Sequence, residues 1–192
     1  ETTFKKPTWI HFGAGNIFRI YPAVLQQILL NGNLVDTGII VCEMFDEEII
    51  ENAYRKFDNL TIAVTLKASG EVQKEVVGSI VESVIPNTEF ERMIEIFTSD
   101  SLQIVTLTIT EKGYALKNND GKFFPWISKD LEQFQETPTS TIGALAKLCY
   151  ERYINGGHPL AIVSLDNVSH NGDLLKEAVM VFVDSWYQNG FC

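Results

Sequence analysis

The sequence predicts a doubly wound α/β fold with a mostly parallel sheet, and three observations carry that prediction. Short, largely apolar runs recur at 9–12, 38–42, 102–110 and 160–165 as expected of strands, and 38–42 is continuous enough for one buried on both faces. Segments with helical apolar spacing separate most of them. Glycine-bearing or polar segments follow the strands directly, at the edge where an open α/β sheet binds ligands.

Taken in order, Trp9, Ile10 and Phe12 mark a strand that runs into Gly-Ala-Gly-Asn at 13–16. Ile17, Ile20, Val24, Leu25, Ile28 and Leu29 then recur at helical spacing and predict one helix, stopped by Asn31-Gly32-Asn33. The run 38–42 is a second buried strand with Glu43 at its carboxyl end, and Asp46 opens an amphipathic helix to about Phe57. Two β-branched arms, 60–67 and 71–84, flank Ala68-Ser69-Gly70 and predict an inserted β-hairpin, or a strand with an antiparallel continuation. Thr88 and Glu91 have capping-box spacing before a helix to about Thr98, and 102–110 is another strand of the main sheet. Thr137-Pro138-Thr139-Ser140 separates helices at 127–134 and 142–154, and Gly156-Gly157 ends the second. The run 160–165 is the last buried strand, and a helix at 172–188 closes the chain. Residues 1–192 are expected to form a single domain.

The composition narrows the function. The 192 residues are 45% hydrophobic with a net charge of −10, so nucleic acid and anionic membrane surfaces are poor partners. Apolar runs of four or five residues fall far short of the roughly 20 that span a bilayer. The first residues hold two lysines without an apolar region behind them, unlike a secretory leader, and the chain starting at Glu1 is expected to be trimmed. Cys42, Cys149 and Cys192 have no pairwise spacing for a disulfide framework or a zinc site, which fits a reducing cytoplasm. The three histidines are too dispersed for a metal site.

The backbone after a first strand can bring free helix amides to a pyrophosphate only where side chains do not intervene. Gly13 and Gly15 meet that need, so the backbone from Gly13 through Ala14, Gly15, Asn16 and Ile17 is the candidate phosphate cradle, although Phe18 stands where a third glycine is usual. Glu43 stands where a ribose diol would be bound, and its carboxylate favours NAD over NADP because it repels a 2′-phosphate. An adenosylmethionine-dependent methyltransferase places glycines and an acid in the same positions, and a nucleotide-binding module without chemistry would do so too.

The second half bears on that choice. His11-Phe-Gly-Ala-Gly-Asn-Ile-Phe-Arg19, the TLTITEKGY block at 106–114 and the SLDNVSHNG block at 164–172, in this order and separation, resemble the polyol-specific long-chain dehydrogenases, the family of mannitol dehydrogenase and of fructuronate and tagaturonate reductases. TEKGY and DNxxxNG look more like the hexitol and hexuronate branch. Departures at Ile20-Tyr21, Leu165 and Lys176 leave the sugar open.

The resemblance implies a Rossmann-like domain of an oxidoreductase that interconverts a secondary alcohol and a ketone on an open-chain sugar derivative, with NAD and no catalytic metal. It places Asn167 near the reacting carbonyl as an oxyanion donor, Asn171 on the substrate side, and Thr110, Glu111 and Lys112 on the nicotinamide side. It also implies a general-base lysine in a K-x-x-x-x-N-x-x-H motif. No lysine of this chain has Asn five positions later, so a helical substrate domain carrying the motif is expected beyond residue 192. Of the histidines, His11 is expected to pack beside the core, His158 to lie in a loop, and His170 on a solvent-facing loop near Asn167.

Overall fold

The computed structural model describes residues 1–191; Cys192 lies outside the described residues. In chain order the elements are α1 (Thr2–Lys5), β1 (Trp9–Phe12), α2 (Asn16–Ile20), α3 (Pro22–Asn31), β2 (Ile39–Cys42) and α4 (Glu47–Ile49), which continues as a π-turn (Ile50–Tyr54) and a 3₁₀ turn (Arg55–Phe57). Then come β3 (Thr61–Leu66), β4 (Val72–Val77), β5 (Ile80–Val84), α5 (Phe90–Thr98), β6 (Ile104–Leu107), α6 (Thr110–Tyr114), α7 (Pro125–Glu132), α8 (Thr141–Ile154), β7 (Ala161–Ser164) and α9 (Asn171–Gln188).

The main sheet is five-stranded, ordered β5-β2-β1-β6-β7, and all its pairings are parallel. Because β1 is followed outward on one side by β2 and β5 and on the other by β6 and β7, the direction in which strands are added to the sheet reverses between β1 and β6. The crevice outside their carboxyl ends is the topological switch point.

The pleat sorts the core into two layers. Ile10, Phe12, Ile40, Cys42, Val105 and Leu107 face α5, α7, α8 and α9. Ile39 and Val41 face the other way, onto Ala14, Phe18, Ala23, Ile50 and Tyr54. On this second side nothing among the described residues covers β7: Val163 is 36% and Leu165 42% exposed, and Ala161 is exposed too. The run 160–165, expected as a buried strand, is therefore an edge strand with one face exposed.

Other expectations need correction. The first helix is two, because Pro22 cannot donate its amide and Tyr21 leaves helical geometry (φ −122°, ψ −73°). Its apolar stripe points outward: Ile17 is 67% exposed, and Ile20, Tyr21, Leu25 and Ile28 are also exposed, while Phe18, Ala23 and Gln26 are buried. The arm 71–84 is two strands. β4 pairs antiparallel with β3 in the inserted hairpin, the chain breaks at Gly78-Ser79, and β5 joins the main sheet parallel to β2. The capping box does not form: helix α5 starts at Phe90 without a side-chain cap, and Thr88 instead donates to the Ile85 carbonyl.

Candidate functional site

The first turn of the crevice is fixed by its backbone. Gly13 has φ +109°, and a Cβ there would stand 2.3 Å from the Thr108 carbonyl oxygen, so only glycine fits between β1 and the end of β6. The Gly13 amide donates to Cys42 (2.9 Å), and the Ala14 carbonyl accepts from the buried Tyr54 hydroxyl (2.7 Å). Gly15 differs: its φ is −72°, and a Cβ there would meet nothing within 4 Å. Neither packing nor backbone strain calls for glycine at this position. Beyond it the Asn16 and Ile17 amides open α2, where no carbonyl lies a turn behind them.

Glu43 is more than a solvated strand end. One carboxylate oxygen accepts from the Ala14 amide (2.9 Å) and the other from the Met44 and Phe45 amides (3.1 Å each), which ties the glycine turn to the end of β2. A carboxylate offers about four acceptor positions, so capacity remains for a hydroxyl.

A cleft of about 190 Å³ opens between these strand ends, lined by Gly13, Glu43, Met44, Phe45, Thr108 and Thr110 among others. A neighbouring one of about 280 Å³ shares Phe45, Ile109, Thr110 and Thr141 and adds Lys112 and Trp126. A larger open groove of about 670 Å³ lies between Arg19, Lys56, Phe57, Leu60 and the hairpin, away from the carboxyl ends of the sheet strands. The strand-end cleft is the candidate site because it lies at the switch point, with Glu43, Thr108 and Thr110 in its lining.

Asp166 is the residue that sequence reading missed. Its carboxylate accepts from the Ile109 amide (2.9 Å), the Thr110 amide (3.1 Å) and the Tyr114 hydroxyl (2.6 Å), clamping the ends of β6 and β7 together. Thr110 has φ +62°, a left-handed conformation strained for a β-branched residue, and the clamp holds it there. Tyr114 also bonds Ser164 (2.6 Å), and burial followed by the Asp166 hydrogen bond pushes its phenol pKa up. The signal available was an acid just past a buried strand, inside the DNxxxNG block.

The remaining candidates fall into place around this clamp. TEKGY forms the one-turn helix α6, with Glu111 and Lys112 exposed. Asn167 is exposed on the loop after β7. Asn171 spends its side-chain amide on the carbonyls of Asp166 (2.8 Å) and Ser164 (3.3 Å), closing that loop. His170 is exposed, and His158 lies between Gly157 and Pro159 before β7. His11 is fully buried, stacked on Phe18 at 4.1 Å; desolvation lowers its pKa to about 3, against an opposing hydrogen bond to the Gly13 backbone. It is neutral at pH 7. Among the described residues no group of His, Cys, Asp or Glu could hold a metal ion, and no helix is long and apolar enough to cross a membrane.

A parallel sheet with its switch point between β1 and β6, a glycine turn after β1 and an acid after β2 define a Rossmann domain. The family described as the mannitol dehydrogenase Rossmann domain matches residues 7–189, and the chain belongs to that family. It is 41% identical to the D-mannonate oxidoreductase of Thermotoga maritima, over 99% of this chain and 36% of that protein. It is 30% identical to the mannitol 2-dehydrogenase of Aspergillus terreus, over 90% of this chain and 36% of that one. In three dimensions it is similar to the Pseudomonas fluorescens mannitol 2-dehydrogenase in a ternary complex with NAD and D-mannitol, with a TM-score of 0.81 at 25% identity, covering 93% of this chain and 37% of that one. A substrate-free D-sorbitol dehydrogenase gives 0.80 at 26%, over 94% and 38%. The chain thus spans a little over a third of the length of these relatives.

Proposed function

We propose that residues 1–192 are the coenzyme-binding domain of an NAD-dependent oxidoreductase that interconverts a secondary alcohol and a ketone on a hexitol or hexuronate, as a mannitol dehydrogenase or fructuronate reductase does. The observation that carries the reading is Gly15, a glycine that the fold does not require, beside helix-start amides that a pyrophosphate would use. The dinucleotide fits the residues present. The amides of Asn16 and Ile17 would hold the pyrophosphate, the spare acceptor position of Glu43 the adenosine ribose diol, and Thr110, Glu111 and Lys112 would lie toward the nicotinamide half. When bound, the nicotinamide supplies hydride transfer. Asn167 is suited to donate to the substrate oxygen as charge develops on it, and Asn171 holds the loop that carries it.

The name of the T. maritima relative and the bound mannitol of the P. fluorescens structure favour a sugar-derived substrate. A further helical domain carrying the general base belongs to the same reading. It is supported by the greater length of the relatives and by the apolar surfaces exposed on α2, α3 and β7. A cytoplasmic location is part of the proposal, consistent with the free thiols of Cys42 and Cys149.

Gly15→Val tests the carrying observation. The variant is expected to keep the melting temperature, because its Cβ meets open space. It is also expected to bind NADH roughly ten- to hundredfold more weakly, because charge-assisted amide contacts are lost. Titration by quenching of intrinsic fluorescence reads the native chain and the variant, and equal affinities would remove the glycine turn from the site.

A further inference from the structure

Beneath the glycine turn, three polar side chains of β1 and β6 and the threonine just after β6 form a continuous hydrogen-bonded row. The Trp9 indole donates to Thr106 Oγ1 (2.7 Å), Thr106 Oγ1 and His11 Nδ1 are 2.6 Å apart, and His11 Nε2 and Thr108 Oγ1 are 2.9 Å apart. Cross-strand register aligns His11 with Thr106. The first three residues are on the hidden side of the sheet, whereas Thr108 lines the cleft.

The chemistry of the donors sets a direction along the row. An indole nitrogen only donates, so one lone pair of Thr106 is already used. The Thr106 hydroxyl is 2% exposed, and an unpaired hydroxyl hydrogen would be costly there, so it donates to Nδ1 of the neutral His11. The ring hydrogen then sits on Nε2, drawn by both Thr108 Oγ1 and the Gly13 backbone, so Nε2 cannot accept from Thr108. With its oxygen accepting from the ring, Thr108 has its own hydroxyl hydrogen left to donate, beside the turn at Gly13, whose Cβ position lies 2.8 Å from Thr108 Oγ1.

We propose that the Thr108 hydroxyl is a coenzyme-binding donor, aimed at an oxygen of the dinucleotide's pyrophosphate–ribose spine, and that buried His11 is the positioning residue that fixes its polarity. The proposal rests on the coenzyme reading above and adds two residues to it. His11 touches neither coenzyme nor substrate; it acts through Thr108.

The test is a double-mutant cycle on NADH affinity in this chain, with circular dichroism and melting temperature recorded for each variant. Thr108→Val, nearly isosteric, is expected to weaken NADH binding roughly tenfold, and Thr108→Ser, which keeps the hydroxyl, to restore it. His11→Phe preserves the stack on Phe18 and should weaken binding several-fold in the native background but not in Thr108→Val. His11→Gln, which keeps a donor near the Nε2 position, should retain affinity and serves as the arm of the cycle if His11→Phe does not fold. Equal NADH affinity for the native chain and Thr108→Val overturns the proposal. So does a His11→Phe loss of the same size in both backgrounds, or a His11→Gln loss that persists in Thr108→Val, since a merely structural histidine behaves that way. Failure of the native chain to bind NADH at all is a different result and overturns the coenzyme reading itself.

Discussion

Arg152→Met is expected to lower the melting temperature of this chain by roughly 6–20 °C. Arg152 is 3% exposed, and its guanidinium donates to five backbone carbonyls: Phe97 and Ser99 at the end of α5, Leu102 before β6, and His158 and Pro159 before β7. These segments all lie at the amino-terminal edge of the sheet, opposite the cleft. Methionine fills much of the volume but leaves the carbonyls without their donors, and breaking a buried charged network of this kind costs about 3–5 kcal/mol. Arg152→Lys should not rescue it, because one ammonium cannot span the five acceptors. NADH affinity below the melting transition should be unchanged. A shift of less than about 2 °C in a calorimetric scan would show that water replaces the guanidinium without loss.

The second large effect concerns chemistry. The chain is expected to bind NADH yet to oxidise none of it in the presence of fructuronate, tagaturonate or fructose, because a positioned base is worth typically 10²–10⁴ in rate and no lysine here is placed to be one. Lys112, the lysine of the TEKGY block, is exposed on α6, and Lys147 is buried but bonded to the carbonyls of Phe134 and Glu136. Nothing in the open cleft aligns a substrate alcohol. Turnover by the chain that disappears in Lys112→Met would relocate the base to α6.

The elements were legible where local pattern determines them. The strand–glycine–helix start, the buried run 39–42, helix α8 and helix α9 all lie within a residue or two of the sequence reading. What covers an apolar face is a tertiary fact, and there the sequence misled. Ile17, Ile20, Leu25 and Ile28 have the spacing of a core stripe and face outward, because Phe18 and Ala23 take the core side of the helices broken at Pro22. The hairpin was visible, but not the change of partner at Gly78-Ser79 that sends β5 into the main sheet, since both arms are equally β-branched. At the site, Gly13, Gly15 and Glu43 stood out by motif. The Asp166 clamp joins groups 52–57 residues apart in sequence and the row from Trp9 to Thr108 joins strands 95–97 residues apart, and no local spacing encodes them.

The central claim is that this cleft binds a dinucleotide, and calorimetric titration of the chain with NADH, NADPH and adenosylmethionine tests it most directly. Saturable one-to-one binding of NADH is expected, with weaker binding of NADPH because Glu43 repels a 2′-phosphate, and none of adenosylmethionine. Binding of adenosylmethionine alone, or of neither dinucleotide, would contradict it.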